Sequence, residues 1–221
     1  MSIEDLPNPL VLAGIIFLTG LLPLGLATVT AFVKISVVLS ILRNALGLQQ
    51  TPPNLVLNAG AIVLTLYVMY PVILKIGDGL ESLPATDDGF AIITSALPIV
   101  MQQIRDFMSP LIEPTMLDFF MSTARKIWPA EVMATVQPDD FLIVLPSFFV
   151  SEMQSALELG VIIFIPFLII DMIVANTMMA LGMIMVPPTM IALPIKLMFF
   201  VGVSGWSLVV DRLLSSYAVG L

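Results

Sequence analysis

Apolar stretches alternate with short polar breaks along this chain. The first runs without a charge from Pro9 to Val33, and the second from Asn54 to Leu74, where Lys75 closes it. A third, roughly Ala156 to Ala180, and a fourth, roughly Met190 to Val210, follow near the C-terminus, with Asp211 and Arg212 at the exit. As helices, each is long enough to cross about 30 Å of hydrocarbon. Pro23 predicts a kink in the first, which a helical bundle tolerates. The segment FVKISVVLSILRNALGLQQTPPN continues as helix to about Leu46, and Gly47 and Pro52–Pro53 then break it. The pattern therefore predicts an all-α membrane protein with four long hydrophobic helices arranged as two hairpins, residues 1–75 and 153–221.

Between the hairpins, residues 76–152 read differently. This stretch holds most of the chain's 16 acidic residues against only Arg105, Arg125 and Lys126, so the net charge of −8 is concentrated here. Its apolar positions in IVMQQIRDFMSPLIEPTMLDFFMSTARKIW recur at roughly three and four, as on an amphipathic helix, divided at Pro110 and Pro114. A mostly helical, acidic, water-facing insertion is expected. The basic residues near the short turns, Lys34 and Arg43 in one hairpin and Lys196 in the other, put those turns in the cytoplasm by the positive-inside rule. The acidic insertion and both termini then lie outside.

Composition narrows the chemistry. Hydrophobic residues make up 59% of the chain and charged ones 11%, where soluble domains carry about 25% charged residues. The chain has no Cys and no His, so disulfides, cysteine metal sites and the commonest general base are excluded. The acidic balance argues against nucleic acid. Glu4 and Asp5 near the start predict no cleaved secretory signal, which needs a positive n-region. No phosphate loop, metal-ligand cluster or nucleophile–base arrangement is visible. No enzyme, cofactor or metal is expected.

The candidate functional residues therefore lie in the apolar segments. Asp171 sits inside the third span, where a charge costs roughly 2.5–3.5 kcal/mol to insert. Lys196 lies at a similar distance beyond a turn near Met185, so the two are expected to pair, within one chain or between neighbours. A proton relay at Asp171 is the alternative. Met178, Met179, Met183, Met185 and Met190 crowd this turn around Gly182 and Pro187–Pro188. Unbranched thioethers suit a surface that must adapt, although ordinary core or lipid-facing packing accounts for methionines equally well. Lys34 and Arg43 read as topology determinants or cytoplasmic-side contacts. Glu152 and Glu158, six apart and so on different helix faces, read as subunit contacts, as do Phe148 and Phe149.

Three blocks carry a resemblance. They are FVKISVVLSILRNALGLQQTPPN at 32–54, LPSFFVSEMQSALELGVIIFIPFLIIDMIVANTMMALGMIMVPPTMIALPIKLMFFV at 145–201, and Gly205–Trp206. Together they resemble the SctR/FliP family of type III secretion export-apparatus proteins. The opening FVK and the short length favour the injectisome branch, with the flagellar branch as the alternative. The resemblance implies a spiral homo-oligomer of about five copies, joined by SctS/FliQ-type and SctT/FliR-type membrane subunits and other export-apparatus proteins. It implies an export gate for unfolded secreted proteins in the bacterial inner membrane, its helices raised to the periplasmic level in the assembly. It also implies that the turn MALGMIMVPP lines the narrowest part of the pore. Met183, Ile184 and Met185, with Met179, are then its gasket. Ile184 interrupts a Met run that is unbroken in many relatives, and its β-branch makes it stiffer. A small-solute transporter using Asp171 and a pure assembly scaffold are the competing readings.

Overall fold

The computed structural model describes residues 20, 23–48, 51–83, 89–183 and 185–218. Every regular element among them is helical: α1 (Pro23–Val29), α2 (Phe32–Ala45), α3 (Asn54–Glu81), α4 (Gly89–Met108), a 3₁₀ turn at Ser109–Leu111, α5 (Pro114–Ile127), α6 (Ala130–Met133), α7 (Phe141–Ala180), α8 (Thr189–Gly202) and α9 (Gly205–Ser215). Residues 9–19 of the first expected span, and Ile184 of the expected gasket, lie outside the described residues.

Helix α2 is the centre of the molecule, packed between α7 and α3. Its buried residues Lys34, Ile35, Val38, Leu39, Leu42 and Ala45 recur at three and four, so one continuous stripe faces inward. Opposite it, α7 offers Ser147, Ser151, Ala156 and Gly160. Small residues let two backbones approach closely in a membrane bundle. At Gly160 the approach is close enough that a Cβ would strike the Ile41 side chain. The outer faces of α3 and α7 stay apolar, with Val63, Leu66, Tyr67, Val161, Ile162 and Ile165 all exposed on the chain, as lipid or neighbouring subunits would require.

Three boundaries differ from the sequence reading. The first apolar run bends sharply past Pro23: α1 and α2 meet at 85° just after Val29, where the Phe32 N–H donates to Thr30 Oγ1 at 3.4 Å, while residues 21–22 before Pro23 lie outside the described residues. The return to the membrane is one helix of 40 residues, α7, about 60 Å long at 1.5 Å per residue. It starts inside the segment read as the end of the acidic insertion, and Glu152 lies within it. The polar residues at this boundary are satisfied inside the fold: Glu152 by Lys34 of α2, Ser151 by the Glu113 N–H and Ser147 by the Ile143 carbonyl of its own helix. The fourth span is broken into α8 and α9, bent by 64°. Ser204 takes left-handed φ of 53° at the break, and the Phe200 ring lies so close to the Gly205 Cα that a Cβ there would strike it. Among the described residues, two helices by themselves, or up to four spans if each bent pair counts as one, are long and apolar enough to cross a membrane.

Candidate functional site

Both inter-helix turns of the hairpins are closed in the same way. After α2, Gly47 adopts φ of 77°, its N–H donating to the Asn44 carbonyl at 3.0 Å and that of Leu48 to Arg43 at 3.2 Å. After α7, Gly182 adopts φ of 73°, its N–H donating to Met179 at 3.0 Å and that of Met183 to Met178 at 3.0 Å. Each is a Schellman motif, in which glycine supplies the left-handed residue that satisfies the last free carbonyls. Pro187 and Pro188 then start α8. The methionines of the second turn divide sharply. Met178 is 3% exposed and packs with Val174 and Ala192. Its neighbour Met179 is 65% exposed, and Met185 95%. Met183 and Met190 are exposed as well.

Immediately behind this turn, α7 and α8 are tied together and to α2. The Lys196 ammonium donates to Asp171 Oδ2 at 2.6 Å and to the Ala45 carbonyl at 2.9 Å. Ala45 is the last residue of α2, so its carbonyl belongs to the unpaired, partially negative end of that helix, which attracts a cation. The Lys196 side chain is 7% exposed and that of Asp171 38%. Asp171 opens onto a cavity of about 350 Å³ of mixed lining, with Asn44, Thr189 and Lys196 beside the apolar Leu46, Leu48 and Leu193.

A second network lies further along α2. The Lys34 ammonium meets Glu152 Oε1 at 2.7 Å, with the two side chains 3% and 1% exposed. The other carboxylate oxygen, Oε2, accepts from the Tyr217 hydroxyl at 2.6 Å. Lys34 sits 4.3 Å from the centre of the Tyr217 ring, a cation–π contact, with Ser216 Oγ 3.5 Å away. Phe107 stacks on Tyr217 and meets Phe148 edge-on. Burial first, and the Glu152 carboxylate second, raise the Tyr217 phenol well above its ordinary pKa, so it remains a donor to Glu152. Three remote segments, α2, α7 and the chain end, thus close one buried charge network.

The other sequence-selected residues are dispersed. Arg43 bridges the α2–α3 turn, donating through Nη1 to Asn54 Oδ1 at 2.6 Å, and its Nε is buried without a partner. Glu158 is exposed and accepts from Gln154 at 3.2 Å on its own helix. Phe149 is exposed, whereas Phe148 is buried inside the chain. Lys34 and Glu152, read from sequence as a cytoplasmic-side contact and a subunit contact, face each other in the interior. They were compared only with charges nearby in sequence, and their partners lie on remote helices. Tyr217 escaped sequence reasoning altogether, since a lone Tyr near a chain end carries no signal. Among the described residues no group of His, Cys, Asp and Glu could hold a metal ion.

These features define a polytopic helical membrane protein that neutralises its intramembrane charges internally and presents a methionine turn at one hairpin end. The profile of the FliP family matches residues 15–213. A probable translocation protein, y4yL, of Sinorhizobium fredii is 41% identical over 216 residues, covering 98% of this chain and 97% of the relative. The virulence protein YscR of Salmonella typhimurium is 38% identical, covering 99% and 100%, and the Yop proteins translocation protein R of Yersinia pestis is 37% identical, covering 96% and 98%. The chain belongs to the FliP family, in its injectisome branch, the SctR group of type III secretion export-apparatus proteins. It is a component of a protein-secretion apparatus and works alongside other secretion proteins.

Proposed function

We propose that the turn between α7 and α8 is a pliable seal in a pore for unfolded secreted proteins, and that the Lys196–Asp171–Ala45 strut sets its position. The observation that carries this reading is the pairing of opposites at one site. Met179, Met183 and Met185 are exposed and carry unbranched, pliable side chains, while the hairpin behind them is held by a charged strut with a buried lysine and a half-exposed aspartate. Thioether side chains with three free torsions can close on one another and part around chains of any sequence. Hydrophobic constrictions of this kind gate by excluding water. Specificity and energy come from elsewhere in the apparatus, and this chain acts as a structural, non-catalytic subunit.

In this reading the chain sits in the bacterial inner membrane or is raised to its periplasmic level. It assembles as a spiral of about five copies with SctS-type and SctT-type membrane subunits. The apolar outer faces of α3 and α7 support burial against such neighbours. Asp171 is already bonded to Lys196, which weighs against a solute transporter that uses this carboxylate as a free coupling group. The test is to replace Met183 and Met185 together by Ala and measure ion leakage and secretion in assembled complexes. A seal should leak ions while still assembling. A double variant that assembles, secretes and holds its ion barrier like the parent would overturn the reading.

A further inference from the structure

We infer that the α7–α8 turn is a reversible oxidation site: two-electron oxidants of the peroxide or hypohalous acid class convert its exposed methionines to sulfoxides and thereby loosen the seal. Both halves of this inference, the access and the loosening, rest on the seal reading above.

The chain contains 15 Met and no Cys, so within it thioether sulfur is the group open to such oxidants. Access then decides which sulfurs react. Met179, Met183, Met185 and Met190 are exposed around one turn, whereas Met69, Met108 and Met178 are buried. The contrast is sharpest between neighbours, since Met178 packs under Ala192 and Val174 while Met179 points away from that cluster. Met172 and Met198 are also exposed on the chain, but they sit within apolar helices, where lipid or subunit packing takes the place of water. The four turn methionines instead lie at or between the ends of α7 and α8, on the turn that the seal reading places in the aqueous export path.

The reaction is an oxygen transfer. The sulfur lone pair attacks the peroxide oxygen, the O–O bond breaks, and R–S–CH₃ plus H₂O₂ gives R–S(O)–CH₃ plus H₂O. With hypochlorous acid the leaving product is HCl. The reverse, by methionine sulfoxide reductase, consumes two thiols and releases a disulfide and water. Oxidation places a strong dipole and hydrogen-bond acceptor on a side chain that packed as an apolar one. Thioethers closing against each other keep water out, whereas sulfoxides in the same position must be hydrated or hydrogen-bonded. The oxidised seal should therefore wet and leak.

The experiment uses the assembled complex in liposomes. Hydrogen peroxide is added, oxidised peptides are mapped by mass, and ion flux is followed before and after treatment with methionine sulfoxide reductase and dithiothreitol. Met179, Met183 and Met185 should oxidise at least about tenfold faster than Met108 and Met178, with flux rising on oxidation and falling on repair. The Met183→Ala, Met185→Ala double variant runs in parallel. If that variant leaks but the turn methionines of the parent oxidise no faster than Met178, or their oxidation leaves flux unchanged, the inference fails and the seal stands. If the variant does not leak, the seal reading fails and the loosening fails with it.

Discussion

Lys34–Glu152 and Lys196–Asp171 are both short contacts between a lysine and a carboxylate, at 2.7 and 2.6 Å, yet only in the second does a partner, Asp171, stay exposed on the chain, at 38% against 1% for Glu152. Around Glu152 both carboxylate oxygens are occupied, one by Lys34 and one by Tyr217, and aromatic rings close the remaining space. Around Asp171 one oxygen is bonded and the side chain opens into a cavity of mixed lining. Two charges taken from water must be repaid by geometry alone in the first case. In the second the carboxylate stays half exposed on the chain, so less desolvation has to be repaid by the contact. The sealed network is thus suited to fixing the fold, and the open one to holding a hairpin whose turn, in the proposed seal, has to move.

Four single substitutions, with one added second-site change and one charge swap, probe this division, in descending order of expected effect. Lys34→Met strands the Glu152 carboxylate in the interior and should cost about 3–5 kcal/mol, on the order of 10 °C in melting temperature. Adding Glu152→Gln should recover part of that loss, and the non-additivity in a thermal-melt cycle would measure the coupling. Tyr217→Phe keeps the ring against Phe107 but removes the donor to Glu152, and should lower stability by about 1.5–3 kcal/mol. Asp171→Ala should lower stability by about 1–2 kcal/mol, less than Lys34→Met because the lost carboxylate is itself half exposed and the buried Lys196 keeps the Ala45 carbonyl as acceptor, yet abolish secretion by releasing the hairpin. The charge swap Asp171→Lys with Lys196→Asp should restore secretion only in part, since an aspartate cannot donate to the Ala45 carbonyl. Glu158→Ala, on an exposed face, should stay within about 0.5 kcal/mol of the parent and secrete normally.

The same contrast governs what the sequence discloses. The close approach of Lys196 to Asp171 is a local property of one hairpin, so counting outward from Gly182 and the prolines brings both to one depth. The role of that pair is not legible in the same way. Helix α3 begins at Asn54 because Pro52 and Pro53 punctuate the chain there, which any reading of breakers would find. The network of Lys34, Glu152 and Tyr217 joins three distant segments, and no periodicity relates them. The length of α7 was hidden for the same reason. Glu152, Ser147 and Ser151 look like a polar boundary until the fold is in place, when each finds a partner: Glu152 meets Lys34 of α2, Ser151 accepts from the Glu113 N–H, and Ser147 bonds the Ile143 carbonyl of its own helix. The break between α8 and α9 was equally invisible, since it depends on the Phe200 ring folding onto Gly205 within an uninterrupted apolar run.

The most direct test compares melting temperatures of Asp171→Ala and Glu152→Ala in the same detergent. Asp171→Ala is expected to melt within a few degrees of the parent and Glu152→Ala far below it, on the order of 10 °C. Equal losses in the two variants would contradict the division between a sealed network that carries the fold and an open one that positions the turn.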